Sequence, residues 1–281
     1  MTRRSSHLRR LTDLVAKILA TSGAVLGIFF LGWILFGVVA KGAASFNWSF
    51  FTTLPPPPGV QGGGVANAIV GTLEMTALAT VMSVFLGILA GTYLSEIGRN
   101  TALATSVRFV ANSLIGIPSI VVGLFVYASL VVPMGRFSGY AGAVSLAIIM
   151  LPVVAITAEA MLNLVPNELR ESAIALGAPR WKVTLEIVFR SAKTGMITGA
   201  ILAVARVSGE TAPLLFTSLN SPYWPNSLSA PTANLTVTIF DFAMSPYTEW
   251  QRIAWGASLL IMVAVLALTI LARFAFRESQ P

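Results

Sequence analysis

The sequence predicts an all-α, polytopic membrane protein with about six transmembrane helices, and three observations carry that reading. Of 281 residues, 56% are hydrophobic and 10% charged, with a mean hydropathy of +0.80, whereas soluble domains carry roughly 25% charged residues. The charge-free stretches, at 18–40, 75–95, 109–135, 137–158, 211–240 and 253–272, mostly approach the ~20 residues needed to cross ~30 Å of hydrocarbon. The basic residues, finally, segregate by loop, which predicts an orientation.

The first helix, 18–40, follows a basic tail, 1–17, in which Arg3, Arg4, Arg9 and Arg10 mimic the start of a signal peptide. Its apolar run exceeds a ~7–15 residue signal core, so a retained helix is expected. An external segment with Pro55 to Pro58 and Gly62 to Gly64 follows; proline lacks the amide donor and glycine a preferred conformation, so regular helix is excluded there. Helix two is expected at 70–95, helix three at 109–135 and helix four at 137–162, with Pro118 and Pro152 kinking the last two. The stretch 211–240 holds Pro213, Pro222, Pro225 and Pro231, while Thr194 to Arg206 is strongly apolar, so helix five is placed at 194–219. A long external loop, 220–251, helix six, 253–272, and a tail, 273–281, complete the chain, with 18–272 as the transmembrane domain.

With both termini cytoplasmic, the inner segments collect Arg3, Arg4, Arg9, Arg10, Lys17, Arg99, Arg108, Arg170, Arg180, Lys182, Arg190, Lys193, Arg273 and Arg277 of the 18 Lys and Arg. Only Lys41, Arg136 and Arg252 fall outside, and Arg206 stays in the membrane. Topology therefore accounts for the net charge of +7, and no basic cluster interleaved with aromatics points to nucleic acid. The absence of cysteine excludes disulfides and thiolate chemistry, and His7 stands alone in the basic tail.

The one long inner loop, 165–193, reads VPNELRESAIALGAPRWKVTLEIVFRSAK. Leu169, Ala173 and Leu176 share a helical face, Pro166 suits a first turn, Gly177 a C-terminal stop, and Pro179 the opening of a second helix. Two short helices joined at a glycine are predicted. Arg180 and Lys182 oppose the dipole of the second, which points to docking on something acidic.

Glu171, Ala173, Gly177 and Ile187 fall at the positions of the EAA motif, E-A-A-x3-G-x9-I-x-L-P, so the segment resembles the coupling loop of ABC-importer permeases. Ser172 replaces the second residue of that motif and Phe189-Arg190 its closing Leu-Pro. Segments 53–72, 117–127, 165–182, 205–219 and 233–246 extend the likeness along nearly the whole chain to the PstA-type phosphate permeases. The resemblance implies a type I importer permease fold in a bacterial cytoplasmic membrane. It also implies a homologous PstC-like permease, a dimer of PstB-like ATP-binding subunits docked on the loop, and a PstS-like phosphate-binding protein. The chain has no Gly-Lys dipeptide and so no Walker A loop; it is expected to bind no cofactor and to hydrolyse nothing, with ATP and magnesium on the partner ATPase.

If helix five enters near Thr194, Arg206 lies ~18 Å in, close to the bilayer midplane, with Glu210 one turn further. Such charges cost at least ~2.5 kcal/mol to insert and point to function. An i, i+4 pair can be a structural ion pair, or a site in which the planar guanidinium receives two oxygens of phosphate while Glu210 holds it beforehand. Ser208 and Thr211, beside Gly209 and Pro213, suggest a loosened helix with hydroxyls facing the path, although small residues also serve ordinary helix packing. Glu74 and Glu159 stay unassigned. One arginine does not distinguish tetrahedral anions, so a molybdate or tungstate permease is the alternative; a secondary transporter is disfavoured because neither intramembrane acid pairs nor HExxH appear.

Overall fold

A computed structural model describes residues 6–275. Arg3, Arg4 and Arg277, and the side chains of His7 and Arg9, lie outside the described residues. The elements are α1 (Ser6–Gly42), α2 (Trp48–Thr52), α3 (Ala66–Ile97), α4 (Ala102–Gly116), α5 (Ser119–Met134), α6 (Gly139–Asn163), α7 (Asn167–Ala175), α8 (Arg180–Val207), α9 (Ala212–Leu215), α10 (Leu235–Ala243) and α11 (Thr248–Ala275). The chain is all-helical among the described residues, as lipid requires of a non-barrel whose backbone groups must be satisfied within each segment.

The core is α3 against α6, with α8 and α10 closing over them. Met75, Ala79, Leu146, Met150, Val207 and Val237 form its centre. Close approach depends on small residues: a Cβ on Gly87 would meet Val154, one on Gly91 would meet Ala155 and Ala158, and Ser83 Oγ donates to the Ala147 carbonyl across the interface at 3.1 Å. Packing of this kind, rather than hydrophobic contrast, holds helices together in lipid. By contrast α1 is fully exposed over its most apolar stretch and packs along α11, pinned by Lys41 Nζ over the Trp255 ring at 4.7 Å and by Ser45 Oγ donating to the Arg252 carbonyl.

Several predicted boundaries change: α1 begins at Ser6, inside the predicted tail 1–17, and α4 at Ala102 rather than 109. The third predicted helix, 109–135, is two helices, α4 and α5, meeting at 104°. Pro118 cannot donate to the ladder and forces Ile117 into an extended conformation (φ −72°, ψ 133°), a break much sharper than a kink; among the described residues five unbroken helices are long and apolar enough to cross a membrane, and the bent pair counted as one span makes six. Pro152, by contrast, sits inside an unbroken α6. The second coupling helix and the fifth predicted span, 194–219, are one helix, α8, which begins at Arg180 and ends at Val207. No proline interrupts 180–207, so polarity changes along it without a backbone break. It stops where Gly209 and Pro213 follow: the Pro213 nitrogen cannot continue the ladder. The predicted loop 220–251 contains α10, and the predicted segment after α1 contains α2.

Candidate functional site

Arg206 sits on the last turn of α8 and its side chain is exposed. Glu210 lies beyond the helix end and is half-buried; no ion pair joins it to Arg206, and neither side chain has a hydrogen-bond partner among the described residues. The predicted i, i+4 pair is therefore corrected, because the spacing has a common face only while the helix continues. Glu210 is held by its backbone instead. Its amide donates to the Val207 carbonyl at 3.0 Å, and its carbonyl accepts from Thr236 Oγ1 at 2.7 Å.

Ser208 Oγ donates to the Val204 carbonyl at 2.8 Å and lines a small cavity of about 10 Å³ with Thr72, Thr76, Asn234 and Thr236. That space admits about one water, so the Ser208 hydroxyl faces the core rather than the same exposed surface as Arg206. Thr211 is half-buried ahead of α9, with no side-chain capping bond. A groove of about 580 Å³ runs between α6 and α8, lined by Ser191, Thr194, Gly195, Thr198, Gly199 and Leu202 on the α8 side. Leu202 and Arg206 are both exposed and one turn apart, which puts Arg206 just beyond the end of a hydroxyl-bearing groove that leads back toward α7.

The predicted glycine-centred connector is present. Gly177 has φ +87°; its amide donates to the Ile174 carbonyl at 2.9 Å, and the Ala178 amide donates to the Ala173 carbonyl at 3.1 Å, the paired bonds of a Schellman stop. Ala173 is buried against Leu162, Val165, Val183 and Val188. Glu171 is exposed with no side-chain partner among the described residues, Ile187 is half-buried in a π-helical turn, Val183–Val188, and Leu176 is 89% exposed. The predicted Leu169, Ala173, Leu176 stripe thus divides: Ala173 anchors the connector, while Leu169 and Leu176 remain open.

Two ion pairs at this end were not predicted. Arg170 donates through Nη2 to Glu96 Oε1 at 2.8 Å and through Nε to Oε2 at 3.3 Å, and it also bonds the carbonyls of Leu162 and Val165. Arg108 Nε meets Glu159 Oε1 at 2.6 Å, and its Nη2 bonds the Leu94 carbonyl. Both arginines therefore satisfy free carbonyls near the C-terminal ends of α3 and α6, where a cation is favoured. Glu159 is assigned by this to an ion pair.

An apolar helical bundle that presents a paired-helix connector at one end and, at the end of a groove, an arginine with no partner among the described residues has the architecture of a transport permease. The fold is shared with a chain of the bacterial alginate ABC transporter solved with a pentasaccharide-bound periplasmic protein (TM-score 0.62, 17% identity, 98% of each chain). It is also shared with the MetNI methionine ABC transporter in inward-facing form (TM-score 0.59, 20% identity, 75% of this chain and 92% of that one). The chain belongs to the family described as binding-protein-dependent transport system inner membrane components, whose profile matches residues 83–279. It is 48% identical to the phosphate transport system permease protein PstA of Yersinia pestis over 99% of this chain and 94% of that protein. It is 44% identical to the protein of that name from Haemophilus influenzae, over 91% and 90%.

Proposed function

We propose that this chain is the membrane-spanning permease subunit of an ATP-driven importer of inorganic phosphate. The near-full-length 48% identity to a phosphate permease carries the reading, and Arg206, without a partner among the described residues, supplies a chemistry for it. A second, homologous permease completes the path across the membrane, a dimer of ATP-binding subunits holds ATP and magnesium, and a periplasmic binding protein delivers the anion. The chain lies in the bacterial cytoplasmic membrane with both termini in the cytoplasm, as its basic loops favour.

Phosphate reaching the end of α8 meets a planar guanidinium whose fork matches two of its oxygens. Arg206 is one cation on an exposed surface, which keeps the stay short, as conduction requires binding weak enough to release. The hydroxyls of Thr198, Thr194 and Ser191 then line the groove toward the cytoplasm. Glu171, Leu169 and Leu176 on the exposed side of the connector meet the ATPase, with Gly177 setting the turn.

Arg206 decides this reading. In the assembled complex, Arg206→Ala should reduce labelled phosphate uptake at least tenfold with assembly intact, and Arg206→Lys should restore part of it by keeping the charge without the fork. Near-normal phosphate uptake in Arg206→Ala sinks the role given to this residue, and uptake of molybdate in place of phosphate by the unmodified complex sinks the substrate.

A further inference from the structure

We infer that Arg170 and Glu96 form a clamp that transmits motion of the connector helix α7 to the α3–α6 core, making both positioning residues for coupling. The inference rests on the reading that α7 docks on the ATPase. Arg170 lies in the first turns of α7, where its charge opposes the helix's own dipole, so its reason for being there must lie outside α7. Its guanidinium keeps one long bond within α7, from Nη1 to Asn167 Oδ1 at 3.4 Å, and otherwise reaches out of the helix. It is shared between the Glu96 carboxylate on α3 and the carbonyls of Leu162 and Val165 at the end of α6. One side chain thus ties three elements.

The joint is built to be stiff. The side chains of Arg170 and Glu96 are only 14% and 11% exposed, and the two-point fork constrains direction as well as distance. Glu96 is itself held, since Ser95 Oγ donates to its Oε1 at 3.0 Å. Both Ser95 and Glu96 lie in a π-helical turn, Tyr93–Ile97, a local irregularity that often marks functional positions. Ser95 Oγ also lies 3.1 Å from Asn163 Oδ1, at the end of α6. The rest of α7 is lightly held: Ala173 is its buried residue, and most of its surface is exposed. A push on α7 therefore has two ways into the bundle, the packing of Ala173 on the start of α8 and the Arg170 bonds, and only the second reaches α3 and the end of α6, the core on which α8, the helix bearing Arg206, is packed.

The test uses the assembled importer in liposomes, with ATP hydrolysis and phosphate uptake measured together. Arg170→Ala and Glu96→Gln should raise the ATP hydrolysed per phosphate at least severalfold while the complex remains assembled. Arg170→Lys, which keeps the charge and one bond, should fall between them and the unmodified chain; it also serves if Arg170→Ala fails to assemble. A brace that merely aids folding would lower the amount of complex but leave the ratio unchanged, and an unchanged ratio overturns the clamp. Leu176→Cys, introduced into a chain without cysteine, is crosslinked in parallel to the ATPase subunit. A crosslink with an unchanged ratio refutes the clamp alone; no crosslink in the otherwise unmodified chain refutes the docking of α7, and the clamp falls with it.

Discussion

The turn at Gly177 permits a worked prediction, because its cost separates cleanly into parts. A Cβ placed there meets nothing within 4 Å, so substitution creates no clash, and the whole penalty comes from the backbone at φ +87°. An L residue held in that region costs ~1–2 kcal/mol, and a β-branched one lies at or above the top of that range. Asparagine visits the region more readily than other side chains. One to two kcal/mol is a factor of ~5–30 in an equilibrium, here the fraction of connectors holding the Schellman turn that orients α7 against α8. ATPase stimulation by phosphate-loaded binding protein, measured in liposomes at limiting ATPase subunit, should therefore fall in the order Gly, Asn, Ala, Val. Gly177→Val should lose roughly tenfold and Gly177→Asn a few-fold at most. Membrane insertion should be unaffected, since the turn lies outside the apolar spans. Equal stimulation in Gly177→Val and the unmodified chain refutes the idea that this turn sets the docking geometry. Equal losses in Gly177→Asn and Gly177→Val would refute the conformational origin of the effect.

Two further outcomes follow from packing and topology. At Gly71 a Cβ would lie 2.1 Å from the Ala233 carbonyl oxygen and 2.8 Å from Thr232 Cγ2; because backbone must move, Gly71→Ala should destabilise by ~1–3 kcal/mol, visible as a lower melting temperature of the purified complex, and an unchanged melting temperature contradicts that packing. With no native cysteine, single cysteines at Asn226 and Arg180 should react with a membrane-impermeant maleimide from outside only at Asn226; outside labelling at Arg180 would reverse the proposed orientation.

The apolar spans were legible because lipid imposes one strong demand, a long run without charge in a segment that satisfies its own backbone. Where a helix ends is a different question, and hydropathy answers it poorly. Polar residues between Arg180 and Lys193 mark a change of solvent, not the end of a helix, so α8 runs on through a boundary that charge suggests, with only a π-helical turn at Val183–Val188. Conversely Thr211 to Phe216 is apolar enough to prolong a span, yet Pro213 and Gly209 end it. The error at Arg206 and Glu210 follows from that one: i, i+4 spacing carries geometry only inside a helix. The Arg170 to Glu96 clamp joins residues 74 apart in sequence and has no local pattern to reveal it. Its one local trace was Arg170 itself, a cation at the wrong end of its helix dipole.

The irregular segment from Ser208 to Asn234 bears on whether the exposed Arg206 is a designed feature or a by-product of loose chain. Unsatisfied backbone groups at membrane depth cost several kcal/mol each, so a loose segment would leave some unpaired or exposed to lipid. Here the breaks are braced. The Glu210 carbonyl accepts from Thr236, the Leu235 amide donates to Thr72 Oγ1, the Val237 amide to Asn234 Oδ1, and the Thr232 amide to the Ser218 carbonyl. The Ser138 amide, from the turn before α6, donates to the Thr217 carbonyl at 3.0 Å. The Glu210 bond comes from α10, the Leu235 bond reaches α3 and the Thr217 bond reaches the turn before α6, while the Asn234 and Ser218 bonds close the segment on itself, so the segment that follows α8 is held both by the bundle and from within. Beside this braced segment the guanidinium of Arg206 stands without a partner among the described residues. A cation presented that way holds no part of the described fold together, which is what the proposed role of receiving phosphate asks of it.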